Sequence, residues 1–458
     1  MSTSNQGEAT RQVSGLAAGL ARFLLELFFR RIAVVGRERG SIDGPVVFVA
    51  NHFNSLIDPA MLLAYLERRP RFLAKSTLWK EPIVWPLLQL AAAIPVYRRR
   101  DPGVDTSKNT ETFARCHEAL EAGGAIAIFP EGTSHSEPGL VPIKTGVSRI
   151  VLEAEARFGG VGTRIVPAGL VFDHKTRFRS SALMVLGEPI DPSPEVARYA
   201  DDPREAVRAL TDRVGEALAD VTLGFPSWEE ARLIDRAVDI YGQPTTALPR
   251  PLSLEETFAA THAFVDGYRV LKERHPEPVR ELSKAICDYD DRLAKLRLRD
   301  EQVAAEYPAA GLWRFAAKSV VSQTLRLPVA LLGTVLNVIP FEFCGWLARR
   351  KAETPDVLAT YKILASMMFY PLFWGMVGLI TGAFWGPLAG FAMALVTPLS
   401  GYVALKFHER RNYFFGHLRA FLLLRSHRTQ IDELRSLRRE VLDGIQRLIE
   451  LYGSLGES

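Results

Sequence analysis

His52 and Asp58, six positions apart, are the residues of this sequence best suited to move a proton. An imidazole titrates near neutrality, and a carboxylate beside it fixes its tautomer and stabilises the imidazolium, as a general base requires. On one continuous helix six positions would set the two about 240° apart, so they can meet only across a turn. Asp58-Pro59 before Ala60-Met61-Leu62-Leu63-Ala64 reads as an N-cap followed by proline at the first helical position, which leaves His52 in the preceding loop. Taken singly, Asp58 reads as a helix cap and His52 as a loop histidine. Only the pairing points to catalysis.

The elements that must position this pair are short apolar strands that run into polar or proline-containing turns. Val46-Val47-Phe48-Val49-Ala50 leads into Asn51-His52, and Ala92-Ala93-Ile94-Pro95-Val96 into Tyr97-Arg98. Ala125-Ile126-Ala127-Ile128-Phe129 leads into Pro130-Glu131-Gly132, and Arg164-Ile165-Val166 into Pro167. In open α/β sheets ligands collect beyond the carboxyl ends of the strands, so parallel strands would place a histidine, an arginine and a glutamate on one rim. The planar donors of Arg98 suit a phosphate, although beside Arg99 and Arg100 it also reads as a surface arginine. By itself Pro130-Glu131-Gly132 reads as a turn. The Trp79–Leu90 stretch reads as core packing or as the lining of an apolar-chain groove, and Cys116 lies on a helical pattern without a matched base.

Composition sets the frame. The chain has 458 residues, 48% of them hydrophobic and 24% charged, enough for two or three structural units. Its 56 Lys and Arg against 52 Asp and Glu give no electrostatic case for nucleic acid. Cys116, Cys287 and Cys344 are far apart, which speaks against a disulfide framework or structural zinc and for a reducing compartment. Gly15 to Phe29 is apolar but interrupted by Arg22 and Glu26 and followed by Arg30-Arg31, which does not fit an export signal and reads as an amphipathic interfacial helix, with an ordinary core helix as the alternative.

The membrane signal lies in the C-terminal third. From Ile363 to Leu405 no charged residue or histidine occurs, about twice what one span needs. Gly386-Pro387 divides the run into a helical hairpin of about 364–383 and 387–405. Leu327 to Phe341 is too short for a span and reads as a re-entrant or interfacial segment. Arg349, Arg350, Lys351 and Lys362 before the hairpin, and Lys406, Arg410 and Arg411 after it, predict that both its ends are cytoplasmic. The expected division is an interfacial segment at 1–44, an α/β catalytic domain at 45–225 and a polar helical region at 226–310. A membrane-embedded region at 311–410 and an amphipathic helix at 411–458 complete it.

The ordered blocks Asn51-His52 with Asp58, Ile94-Pro95-Val96-Tyr97-Arg98, Phe129-Pro130-Glu131-Gly132 and Ile165-Val166-Pro167 resemble those of the glycerolipid acyltransferases, the lysophosphatidate and glycerol-3-phosphate acyltransferase family. The resemblance covers about residues 45–195. The family's usual pattern places four residues between the histidine and the aspartate, whereas Phe53 to Ile57 intervene here, and Ser134-His135 follows Glu131-Gly132-Thr133 where many bacterial members carry an arginine. Both departures are similar to the fungal-type glycerol-3-phosphate/dihydroxyacetone-phosphate acyltransferases, as are Pro138, Leu140, Pro142, Lys144, Gly146, Phe178-Arg179-Ser180 and Gly187-Glu188-Pro189-Ile190.

The resemblance implies an α/β fold, an acyltransferase-type mixed sheet with helices, here followed by a C-terminal helical membrane hairpin. It implies that His52 deprotonates a glycerol hydroxyl that attacks the acyl thioester of coenzyme A or acyl carrier protein, with Asp58 holding the ring and no covalent acyl-enzyme. Arg98 would pair with the acceptor phosphate, Glu131 and Gly132 would shape the acceptor site, and Lys144 would add a second positive contact or remain a solvated lysine. His135 would cap the turn or touch substrate. The expected partners are the bilayer, the acyl donor and a glycerol phosphate or lysophospholipid acceptor, with no nucleic acid, no metal and no cofactor beyond the donor. The alternatives are an acyltransferase or transacylase acting on another lysophospholipid and a catalytically silent lipid-binding membrane protein.

Overall fold

The computed structural model describes residues 2–98, 101, 103–243, 252–304, 309–426 and 428–456. The second and third arginines of Arg98-Arg99-Arg100, and residues 244–251 within the expected polar helical region, lie outside the described residues. Packing divides the chain into two units, residues 1–226 with 350–364, and residues 227–349 with 365–458.

The first unit begins with α1 (Ser2–Phe28), β1 (Arg31–Val35), β2 (Val46–Ala50), α2 (Ile57–Tyr65), β3 (Arg71–Lys75), α3 (Val84–Leu90) and β4 (Ile94–Val96). It continues with α4 (Asn109–Glu121), β5 (Ala125–Ile128), α5 (Gly146–Phe158), β6 (Arg164–Phe172), β7 (Ser181–Leu186), α6 (Ser193–Tyr199) and α7 (Pro203–Asp220). The strands form one sheet in the order β1-β7-β6-β2-β5-β3-β4. β2, β3, β4, β5 and β6 run parallel, while β7 is antiparallel to β6 and parallel to β1, so the sheet is mixed. β2 is flanked by β6 and β5, and Val46, Val47, Phe48, Val49 and Ala50 are all fully buried. An unbroken apolar run is what a strand covered on both faces requires. On one face Val46, Phe48 and Ala50 join Ala125, Ala127, Met61, Leu62, Leu25 and Phe28 in a single core.

Three expectations are corrected here. The proposed boundary at residue 44 does not exist, because β1 pairs with β7 and Ala18, Leu25 and Phe28 of α1 pack in the same core as α2. α1 nevertheless leaves Leu16, Leu20, Phe23 and Leu27 exposed, which keeps the amphipathic character read from Gly15–Phe29. β6 does not end at Pro167 but runs on to Phe172. Pairing with β7 begins at Ala168, and at Pro167 β7 gives way to Gly187, whose N–H donates to the Pro167 carbonyl, so the missing proline N–H breaks no ladder bond with that strand. Thirdly, Asp58 is not a helix cap. α2 starts at Ile57, so Asp58 sits inside the first turn and turns its carboxylate back toward the loop.

The second unit contains α8 (Trp228–Tyr241), α9 (Leu254–Arg274), α10 (Pro276–Leu296), α11 (Asp300–Ala304), α12 (Ala309–Lys351), α13 (Pro355–Trp385), α14 (Pro387–Ser426) and α15 (Arg428–Gly456), with the first turns of α13 assigned to the first unit. Ile240, Ile286, Tyr289, Leu293, Ile431, Leu434 and Val441 form a helical core shared by α8, α10 and α15. Ser322–Lys351, Pro355–Trp385 and Pro387–Arg411 are each long and apolar enough to cross a membrane. The hairpin thus takes the expected form, with Gly386 at φ 90° between its helices. The expectation that Leu327–Phe341 is too short for a span is corrected, because the helix continues through Pro328 and Pro340 and its apolar stretch runs over Ser322–Lys351. The expected boundary at 410 falls inside α14, because the cations at Lys406–Arg411 mark the end of the apolar surface and not of the helix.

Candidate active site

β2 delivers His52 to the rim formed by the carboxyl ends of the parallel strands. Asn51, fully buried, accepts the N–H of Leu170 at 2.6 Å and donates to the Leu170 carbonyl at 2.9 Å, which extends the β2–β6 contact beyond the ladder. The next residue therefore leaves the sheet at a defined point. His52 Nδ1 lies 2.8 Å from Asp58 Oδ2, and Phe129 stacks on the imidazole at 4.2 Å between centroids. With Nδ1 held by the carboxylate and the ring plane fixed by Phe129, Nε2 is the nitrogen left to accept a proton.

The Asp58 side chain is wholly buried. Burial pushes its carboxyl up from the ordinary value, opposed by the His52 hydrogen bond and charge, by the Asn54 N–H at 2.7 Å and by the charge of Lys175. The loop between the two residues contains Ser55 at φ 45°, a left-handed conformation in the spacer that is one residue longer than the family's usual pattern.

Glu131 holds the site from beneath instead of presenting itself to a ligand. Its side chain is fully buried, its Oε1 accepts the His52 backbone N–H at 2.6 Å, and its Oε2 bonds the His135 ring and the Val141 N–H. His135 returns its own N–H to the His52 carbonyl at 3.1 Å, in keeping with a structural part for this histidine. Gly132 has φ 74°, and a Cβ there would lie 2.3 Å from the Lys144 ammonium. The left-handed backbone favours glycine here, and a side chain would also have to displace the end of Lys144. Lys144 also donates its N–H to the Pro130 carbonyl at 2.8 Å, so Glu131, Gly132 and Lys144 are drawn together.

Arg98 follows β4, the edge strand, three places from β2 in the sheet. At ordinary strand spacing its backbone starts about 14 Å across the same rim, a distance that a phosphorylated acceptor and a long side chain can span together. Other candidates resolve plainly. Cys116 is buried, and burial pushes its thiol up to about 12, which removes it as a nucleophile. The Trp79–Leu90 stretch divides its residues, with Leu88 in the core and Ile83 and Trp85 exposed.

One residue of the site escaped the sequence reading. Lys175 sits just past β6, and its ammonium donates to the Phe53 carbonyl at 3.0 Å, the His135 carbonyl at 3.1 Å and Ser136 Oγ at 2.9 Å. It therefore joins the His52 loop to the Glu131 loop. Burial holds its ammonium below the usual lysine range, opposed by the charges of Asp356 and Asp58. The signal was its place after a strand end, hidden because β6 was read as stopping at Pro167.

Two family models match successive parts of the chain. One described as Acyltransferase matches residues 31–171, and one described as Glycerol-3-phosphate acyltransferase 2 C-terminal domain matches residues 233–454. The chain carries an acyltransferase domain and a GPT2 C-terminal domain. It is 29% identical over 281 residues to glycerol-3-phosphate O-acyltransferase 2 of Saccharomyces cerevisiae, covering 58% of this chain and 37% of that one. It is 25% identical to glycerol-3-phosphate O-acyltransferase 1 of the same yeast over 97% of this chain and 72% of the relative. A 1-acyl-sn-glycerol-3-phosphate acyltransferase of Chlamydomonas reinhardtii is 28% identical over 31% of this chain and 39% of its own. The chain thus spans little more than a third of the first of these curated relatives. Among solved structures, the 1-acyl-sn-glycerophosphate acyltransferase PlsC of Thermotoga maritima matches 47% of this chain and 83% of its own, at 20% identity and a TM-score of 0.34. The GPT2 match extends the likeness through the helices of the second unit, beyond the residues 45–195 that carry the sequence motifs.

Proposed function

We propose that the acyltransferase domain moves a fatty acyl group from an acyl thioester to a hydroxyl of glycerol 3-phosphate or 1-acylglycerol 3-phosphate. The observation that carries this reading is the 2.8 Å bond from His52 Nδ1 to a fully buried Asp58. His52 Nε2 takes the proton of the acceptor hydroxyl as its oxygen attacks the thioester carbonyl. Asp58 balances the imidazolium that forms. When the tetrahedral adduct collapses, the carbon–sulfur bond breaks and the thiolate of coenzyme A or acyl carrier protein takes that proton from His52. A positioned base of this kind contributes about 10² to 10⁴-fold. Arg98 and Lys144 supply positive charge for the acceptor phosphate, while Glu131 and Gly132 shape the site by holding its loop.

On this proposal the work is done at a membrane, with the catalytic unit on the cytoplasmic side. The cations that bracket the α13–α14 hairpin favour both its ends there.

The test offers membranes carrying the protein a labelled acyl-CoA with glycerol 3-phosphate or with 1-acylglycerol 3-phosphate, beside a His52→Ala control. A His52-dependent lipid product is expected, and its identity tells which hydroxyl is acylated. No His52-dependent product with either acceptor would sink the assignment and turn attention to another lysolipid or to lipid binding without turnover.

A further inference from the structure

The first turns of α13 belong to the first unit, although more than 180 residues separate them from β6. There they meet three loops of the rim. The Asp356 carboxylate, on a residue only 4% exposed, accepts the Ser134 hydroxyl at 2.5 Å. Thr360 Oγ accepts the N–H of Leu56, just before α2 and Asp58, at 3.2 Å. The Lys362 ammonium donates to the Thr176 carbonyl at 2.6 Å, next to Lys175. The segment thus contacts the loop after β2, the loop after β5 and the loop after β6.

We propose that Asp356 is a positioning residue for acyl transfer, acting through Ser134 and Lys175 to hold the His52 and Glu131 loops in register; this rests on the acyl-transfer reading above. Two routes lead from Asp356 to the base. Ser134 precedes His135, whose N–H bonds the His52 carbonyl and whose ring bonds Glu131, and Glu131 in turn holds the His52 N–H. The second route is electrostatic. The half-buried Lys175 ammonium tethers the Phe53 and His135 carbonyls, and Asp356 and Asp58 are the carboxylates whose charges favour its protonated form. A buried cation needs a counter-charge, so loss of Asp356 would leave Lys175 to rely on Asp58 alone, in competition with His52. The acyltransferase match ends at residue 171, so on this reading the catalytic rim is completed by residues of α13 and not by the domain alone.

The experiment compares wild type, Asp356→Ala, Asp356→Asn, Ser134→Ala and His52→Ala as the full chain in its membranes. It reads kcat and KM for donor and acceptor, thermal unfolding, and amide hydrogen exchange in peptides spanning 53–57 and 132–137. Misplacement of reacting groups by about 1 Å can cost on the order of a hundredfold, so Asp356→Ala should lower kcat about ten- to a hundredfold with KM values little changed. Exchange in both peptides should rise. Asp356→Asn keeps an acceptor for Ser134 but not the charge toward Lys175, so it should fall between wild type and Asp356→Ala; it also serves if the alanine variant fails to fold. Wild-type exchange in both peptides, or a loss seen only as raised KM, overturns the positioning role. If no variant shows His52-dependent transfer, the acyl-transfer reading fails, and the exchange data still decide whether Asp356 holds the loops.

Discussion

Each unit buries an aspartate against a basic side chain, and the two pairs are built for opposite purposes. In the second unit Asp300 Oδ1 accepts Arg438 Nε at 2.9 Å and the Tyr289 hydroxyl at 2.7 Å, while Arg438 Nη2 also bonds the carbonyls of Ile240 and Gln243. A guanidinium stays charged at any working pH, and here its bonds to α8, the α8 exit and Asp300 of α11, with Tyr289 of α10 bonded to the same Asp300, make a fastener for the bundle. In the first unit Asp58 faces a histidine that can gain and lose a proton. Its Oδ1 is buried without a hydrogen-bond partner among the described residues, and Asp58 holds only one of the two ring nitrogens of His52. A saturated pair around a permanent charge locks a fold, whereas an unsaturated pair around a titratable group can do work.

Breaking the two pairs should therefore give contrasting phenotypes. His52→Ala should lower kcat by about 10² to 10⁴-fold while thermal unfolding stays near wild type, and steady-state kinetics beside circular dichroism would check it. A melting point that fell with the activity would make His52 structural as well. Asp58→Asn should approach the same loss, since an amide cannot balance the imidazolium. Arg438→Ala should do the reverse, because removing one partner of a buried pair costs about 3–5 kcal/mol of stability. Denaturation of the full chain should show that loss, with kcat per folded molecule retained.

Smaller effects sharpen the contrast at the rim. Arg98→Ala should lower kcat/KM for a phosphorylated acceptor by about ten- to a hundredfold, the worth of one charge-assisted hydrogen bond, chiefly through KM. Equal loss with an unphosphorylated acceptor would remove Arg98 as the phosphate partner. The pH profile gives the most modest expectation. Lys175 faces Asp58 and Asp356 and tethers the loops bearing His52, Glu131 and His135, and burial sets its proton affinity below that of an ordinary lysine. As pH rises through that lowered value the tether loses its charge, so the alkaline limb of activity should begin earlier than ordinary lysine titration allows. Lys175→Arg, whose charge persists, should move that limb upward; an unmoved limb would show that Lys175 does not set it.

The motifs around His52, Arg98, Glu131 and Gly132 were legible because each is a local event, a buried β-run ending in a polar turn. The hairpin was legible for the same reason, since an uncharged run from Ile363 to Leu405 leaves few alternatives. Other roles were not. Glu131 carries its chemistry in a motif, yet only the fold shows its oxygens spent on His52, His135 and Val141. Lys175 was obscured by Pro167, which punctuates a sequence but ends no strand here. Asp356 was out of reach, as it opens an apolar helix 222 positions after the serine it bonds. The sequence by itself determined which residues could act and which segments seek lipid, because residue chemistry and hydrophobic periodicity are written along the chain. Which loops are held together, and by what, was decided only by the tertiary structure, since such bonds depend on distances that chain closure creates and that linear spacing does not encode.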